Sequence, residues 1–307
     1  QMIIKSSGYM LNNYINSLSD IKKDYIVYTD TDSLIFTCDT LFPDIKEYTK
    51  ENIDKILVFT KSCQDFVNES IAEISNEMFF RYVNKPSVLK VKTEYFAKSA
   101  IYTSKKHYSM LKVYEDGIYE ESLFNVGISL KRSSYNTKTK EFVELILRKI
   151  LNFDDKNIND IILNEVNNIR KVYTLEDLGI PCGIKRLDLY TTAPINVRAA
   201  EIFNKYISRK NIDNISSGKL RYIYIKAWNN KIDLNRQIDK FNVVAWFPET
   251  KYIDIIAKEI TIDHDKMIDR MIINTIKPFF EAMNWKIPDK ELKSKANKSF
   301  CKFMRKG

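Results

Sequence analysis

Residues 25–36 read Tyr25-Ile26-Val27-Tyr28-Thr29-Asp30-Thr31-Asp32-Ser33-Leu34-Ile35-Phe36, two short apolar runs on either side of a polar tetrad. β-Branched and aromatic residues bounded by Asp and Ser are the pattern of a β-hairpin. The expected element presents its acids at the tip.

On the N-terminal side, Leu11, Ile15 and Leu18 recur at helical spacing and predict a helix over residues 1–18. On the C-terminal side, beyond Pro43, Val67, Ile71, Ile74 and Met78 predict an amphipathic helix packed on a sheet. Strand-like runs follow at Val88 to Tyr95 and His107 to Tyr114, with Lys105-Lys106 between them and Glu115-Asp116-Gly117 as a turn after the second. From about Ser133 the texture becomes helical, with Phe142, Leu145, Ile146 and Ile150 on one stripe. Leu220 to Trp228 alternates as a half-buried strand, and a late helix carries Ile268, Ile272, Ile276, Phe279 and Met283, with Pro278 expected to kink it. The expected fold class is α+β. Residues 1–130 form an antiparallel sheet with packed helices, and residues 131–307 form a mostly helical second domain.

In an extended strand, residues two apart share a face and lie about 6.5 Å from each other, so a regular strand would aim Asp30 and Asp32 at one place. Adjacent carboxylates repel, and a hard divalent cation relieves that repulsion. Mg2+ prefers oxygen ligands and is commonly held by one or two protein carboxylates together with substrate phosphates. Two such ions stabilise the attacking and leaving oxygens of phosphoryl transfer. The same tetrad is also good chemistry for an ordinary polar turn, because Asp and Ser bond to their own backbone.

The string Tyr28-Thr29-Asp30-Thr31-Asp32-Ser33 resembles the third polymerase motif of the family B DNA polymerases, usually Tyr-Gly-Asp-Thr-Asp-Ser, with Thr29 in the glycine position. The resemblance implies that Asp32 is a principal metal ligand and that Asp30 supports the site. Lys105-Lys106-His107-Tyr108 is similar to the family's Lys-Lys-Arg-Tyr element, which grips the primer-template duplex. Adjacent ammonium groups neutralise phosphates without reading bases, and Tyr108 adds a hydrogen bond to the backbone. Glu94, within Lys92-Thr93-Glu94-Tyr95, resembles an acid on the preceding palm strand, either part of the metal environment or simply an exposed strand carboxylate.

The likeness extends along the chain and is strongest to the T-even phage type. Gly127 through Lys131-Arg132-Ser133-Ser134 resembles the opening of the thumb. Ser133 or Ser134 suits a helix cap, and Lys131 and Arg132 suit phosphate contacts. Pro194-Ile195-Asn196-Val197-Arg198-Ala199-Ala200 resembles another thumb element, with Arg198 either on the duplex backbone or in a structural ion pair. Ile262-Asp263-His264-Asp265 and Lys277-Pro278 through Trp285 match the closing thumb helix, where His264 is expected to be structural. Trp228, Trp246 and Trp285 are expected to pack.

The family's other metal-binding aspartate and its nucleotide-binding fingers helix have no counterpart in these residues. Residues 1–18 resemble the helix that follows the fingers, and the first residue is Gln1. The expectation is therefore a palm-and-thumb portion, inactive alone. A two-metal Mg2+ site would be completed by an aspartate outside this chain. The implied partners are primer-template DNA, a deoxynucleoside triphosphate (dNTP) and an N-terminal polymerase chain carrying the exonuclease and fingers. The aromatics of Ser299-Phe300-Cys301-Lys302-Phe303-Met304 admit a sliding-clamp peptide or a frayed end.

Composition sets outer bounds. A formal charge of +9 suits a phosphate-backbone partner. Cys38, Cys63, Cys182 and Cys301 are too scattered for a zinc knuckle or disulfide framework, which predicts reduced thiols. Without an apolar run long enough to span a bilayer, the expected location is intracellular, the host cytoplasm if the chain is phage-encoded, with no membrane partner. A competing expectation is a non-catalytic, thumb-like processivity module that binds duplex DNA. Palms of the reverse transcriptase or RNA polymerase kind fit less well, because they juxtapose the acids that Thr31 separates here.

Overall fold

A computed structural model describes residues 2–77, 89–128, 135–208, 212–229 and 242–288. The fold is α+β, as the periodicities predict, and the chain divides into two compact units. Residues 1–98 with 111–122 make the first, and residues 99–110 with 123–307 make the second.

In the first unit, helix α1 (Met2–Leu18) lies on helix α2 (Lys50–Ser75) and on strand β1 (Ile26–Thr29), which pairs antiparallel with β2 (Leu34–Phe36). Leu11 and Ile15 of α1, Cys63, Val67 and Ile71 of α2, and Tyr25 form a buried cluster. The hairpin lays Ile26, Leu34 and Phe36 against it. Tyr14 stacks on Phe66 with ring centroids 4.3 Å apart. Thr49 starts α2 by accepting the amide of Asn52, the usual service of a short hydroxyl at a helix start. Ile74 is buried as its spacing predicts, whereas Met78 lies outside the described residues.

The strand expected at Val88 to Tyr95 begins only at Tyr95. Val88 lies outside the described residues, and residues 89–94 are not in a strand. Two side chains of α2 take the bonds that a neighbouring strand would have made. Asn68 accepts the Val91 amide at 2.7 Å and donates to the Val91 carbonyl at 3.0 Å, while Gln64 accepts the Thr93 amide at 2.7 Å.

Strands β3 (Tyr95–Ser104), β4 (His107–Glu115) and β5 (Ser122–Val126) form a sheet in that order. Lys105-Lys106 is the turn between β3 and β4, as expected, and Asp116-Gly117 turns after β4 with both residues at positive φ. Positive φ at both central positions suits the right-handed twist of a hairpin.

The second unit holds helices α3 (Thr137–Leu151), α4 (Ile158–Lys171) and α5 (Leu175–Leu178). The stripe of α3 is Phe142, Val143, Ile146, Leu147 and Ile150. Leu145 is instead exposed, because the buried face centres on Val143, Ile146 and Ile150 and position 145 falls on the other side of the helix. An antiparallel sheet follows, strand β6 (Ile180–Ile184) and strand β8 (Val243–Trp246) flanking β7 (Gly218–Trp228). Pro181 is tolerated because β6 is an edge. Strand β9 (Ile260–Ile262) extends the pairing of β7.

Helix α6 (Ile195–Tyr206) covers β8, and α7 (Thr250–Glu259) leads into β9. Helix α8 (His264–Ile268), a π-helical turn (Asp269–Ile273) and α9 (Asn274–Ala282) finish the unit, with Pro278 inside α9. Strand β7 is covered on both faces at its centre, where Tyr222 and Ile223 are both buried, rather than half-buried throughout. Trp246 is fully buried, Trp285 meets Phe280 edge-on at 5.7 Å and Trp228 packs on Tyr206 at 5.7 Å, so all three pack against neighbouring side chains.

Candidate metal centre and nucleic-acid interface

The hairpin tip is built by strand pairing that stops at Thr29 and Leu34. Beyond it the Asp30 amide donates to the Ser33 carbonyl at 3.0 Å, closing a four-residue turn. Because Thr31 and Asp32 form a bend and not a strand, the two acids do not share a pleated face as a regular strand would have them. Asp30 is half-buried, with its carboxylate 3.4 Å from the Thr31 hydroxyl. Asp32 is exposed and joins no ion pair among the described residues.

Thr29 is accommodated because its backbone is ordinary extended strand and needs no left-handed conformation. The closely packed glycine of this region is Gly8 in α1, where an added Cβ would lie 3.0 Å from Leu34 Cδ1 and 3.6 Å from Thr29 Cγ2. Gly8 escapes the apolar spacing, but it is a helix-interior glycine in a chain with only seven, which is a signal for close packing.

Asp30 and Asp32, beside the hydroxyls of Thr31 and Ser33, make a hard oxygen donor set of the kind Mg2+ takes with phosphate ligands. Among the described residues no group of three or more His, Cys, Asp and Glu side chains could hold a metal ion. Glu94 therefore does not join the two aspartates in such a group. It is exposed, and its carbonyl accepts the Asp116 amide at 3.0 Å, next to the Lys92–Asp116 ion pair at 2.9 Å.

Lys105 and Lys106 are exposed at the β3–β4 turn. Lys106 adopts φ 61° in the left-handed region. The His107 ring nitrogen Nδ1 lies 3.0 Å from the Lys105 carbonyl, and the Thr103 hydroxyl donates to the His107 carbonyl at 3.1 Å. Tyr108 is half-buried with its ring 5.0 Å from that of Tyr102. The turn is thus held from both strands while both lysines remain exposed.

Lys131, Arg132, Ser133 and Ser134 lie outside the described residues, as does the segment Ser299 to Met304. The cap of α3 is Asn136, two residues beyond the expected serines. It accepts the Thr139 amide at 2.8 Å and donates to the Leu178 carbonyl at 3.2 Å. Arg198 is half-buried in the first turn of α6 and has an interaction partner, while Asn196 donates to the Gly183 carbonyl at 3.0 Å. His264 is structural, its Nδ1 lying 2.9 Å from the Ile169 carbonyl.

An antiparallel hairpin with two acids at its tip, packed on helices, and a separate hairpin with a basic turn are thus the candidate functional features of this α+β fold. Residues 10–177 match the family described as Divergent Family B DNA polymerase, and the chain belongs to that family. No curated protein matches the chain. Among the described residues no helix is long and apolar enough to cross a membrane.

Proposed function

We propose that this chain is the C-terminal part of a family B DNA-directed DNA polymerase, catalysing nucleotidyl transfer from a dNTP to a primer end. Residues 1–130 supply the C-terminal part of the palm and residues 131–307 the thumb. The observation that carries this reading is the exposed Asp32 at a tip closed by Asp30 and Ser33, inside the segment matched to the family. Asp32 and Asp30 would hold Mg2+, which supplies positive charge to the triphosphate and to the primer oxygen when bound. Asp30 steadies the tip, Lys105 and Lys106 neutralise duplex phosphates, and Tyr108 braces their turn. Lys131, Arg132 and Arg198 extend the phosphate contacts, with Ser133 and Ser134 beside them.

The third carboxylate and the nucleotide-binding helix come from a separate N-terminal chain or from a preceding segment. The resemblance to the T-even phage type supports this arrangement, and with it an intracellular site of action. The test is primer extension with the chain alone, with the product of its genomic neighbour encoding the missing half, and with that product plus an Asp32→Ala chain. Activity confined to the wild-type mixture supports the proposal. Duplex binding with no activity in any mixture would replace it with a non-catalytic processivity module.

A further inference from the structure

The basic turn is pressed against a glycine that lies 21 residues downstream. Gly127 has φ +71°, and a Cβ built on it would lie 2.0 Å from the Lys106 carbonyl oxygen, 2.8 Å from His107 Cδ2 and 3.0 Å from His107 Cγ. Real Cβ atoms essentially never come within 3.0 Å of another heavy atom, and here the nearest obstacle, the Lys106 carbonyl oxygen, is backbone that cannot swing aside. The left-handed φ already disfavours every other residue, so two independent constraints select glycine at one position. Gly127, Lys106 and His107 all belong to the second unit.

The partner in this contact is itself strained. Lysine at φ 61° pays a steric cost that glycine would not, so the surrounding contacts must over-determine the turn. They come from three sides: the His107 ring on the Lys105 carbonyl, the Thr103 hydroxyl on the His107 carbonyl, and the Gly127 backbone lying on the Lys106 carbonyl and the imidazole. Two ammonium groups on consecutive residues grip neighbouring phosphates only while the peptide between them keeps its direction.

We propose that Gly127 is a positioning residue for the Lys105–Lys106 phosphate grip, holding the left-handed turn that aims both ammonium groups at the duplex. The inference rests on the reading of these lysines as phosphate ligands. Gly127 touches no phosphate itself, and it acts by admitting close backbone approach. A Cβ there displaces the turn and uncouples the lysines without altering their charge.

The experiment compares full-length wild type, Gly127→Ala, the Lys105→Ala/Lys106→Ala pair, the triple variant and Gly117→Ala. Each is titrated with a primer-template duplex between 50 and 200 mM salt, and each is also unfolded thermally. Gly117 is the control for left-handed strain alone, since it has φ +92° with nothing within 4 Å of an added Cβ. Each phosphate contact contributes about 0.9 to the logarithmic salt slope, so loss of two lowers it by about 1.8, which makes the fall in affinity between 50 and 200 mM salt roughly tenfold smaller.

Gly127→Ala is expected to lower the slope as the lysine pair does, with the triple variant no worse than the pair. Gly117→Ala is expected to lower the melting temperature while leaving the slope unchanged. A Gly127→Ala chain with the wild-type slope, beside a lysine pair that lowers it, overturns the positioning role and spares the phosphate reading. A lysine pair with the wild-type slope overturns both. If Gly127→Ala does not fold, Lys106→Gly and Lys106→Val decide the matter, because both remove one ammonium and only valine opposes the left-handed turn. A lower slope for valine supports the proposal, and equal slopes refute it.

Discussion

The Asp30 amide donates to the Ser33 carbonyl at 3.0 Å, and this single bond separates the environments of two carboxylates only two residues apart. Asp30 is drawn partly into the hairpin, and Asp32 is left in water at the bend. The two positions should therefore answer substitution differently. Asp32→Asn is expected to change unfolding free energy by no more than about 0.5 kcal/mol, as exposed sites do. In the mixture that extends primers it should cost about a hundredfold or more in rate, as loss of a metal ligand should. Asp30→Asn should lose less activity and more stability. Denaturant unfolding beside primer extension checks both, and equal behaviour of the two variants would contradict the asymmetry.

Gly8 and Leu34 set the distance between α1 and the hairpin. An alanine methyl at position 8 would meet Leu34 Cδ1 at 3.0 Å, the far end of a side chain that can move, so Gly8→Ala should be tolerated. Valine or leucine there must push against Thr29 and Ile26 as well, and overpacking of that kind costs about 1–3 kcal/mol. Thermal unfolding of the three variants should rank them by volume. A Gly8→Val chain as stable as wild type would show that the helix does not lie so close to β1 and β2.

The acidic hairpin was legible in the sequence because its apolar runs are local and its turn residues stand between them. The start of β3 was not, because the bonds that replace strand pairing at Val91 and Thr93 come from Asn68 and Gln64, more than 20 residues away. Strand β6 was hidden for a different reason. Pro181 and Gly183 argue against a strand until the edge position of Ile180–Ile184 is known. Of the candidate functional residues, Asp30, Asp32 and the Lys105-Lys106 turn could be picked out by residue type. Gly127 drew notice only as the start of a motif, since its contact with Lys106 is a property of backbone approach that no pattern of side chains announces.

The Asn68 clamp predicts a defect at a distance from its own helix. Its amide satisfies both the N–H and the C=O of Val91, so Asn68→Ala leaves two backbone groups to find water or go unpaired. The cost should be about 1–3 kcal/mol. Hydrogen exchange should quicken at Val91, with Thr93 less affected because Gln64 still holds it. The Asn204 side chain makes the same double contact with Ile215, at 2.6 and 2.8 Å, and Asn204→Ala should reproduce the effect in the second unit. Unchanged exchange at Val91 in Asn68→Ala would show that the segment is held by other means.

The described cysteines give the fold an alkaline limit. Burial pushes the Cys63 thiol up to about 12 from its ordinary 9.0, and the Cys38 and Cys182 thiols up to about 11. A raised thiol means that the folded chain keeps its proton where the unfolded chain has lost it. The contribution is fully present below about pH 9, the ordinary thiol value, and is lost as pH climbs through the folded values. Unfolding free energy should therefore fall between about pH 9 and pH 12, and Cys63→Ala should show a shallower fall than wild type even though its stability at pH 7 is lower. Tyrosines and lysines titrate over the same range, so the difference between the two pH profiles is the quantity that reports on Cys63. At pH 8 the Cys63 thiol in native protein should also react with iodoacetamide far more slowly than in denatured protein, since only the thiolate attacks. Parallel pH profiles for wild type and Cys63→Ala would mean that Cys63 ionises as easily in the folded chain as in the unfolded one.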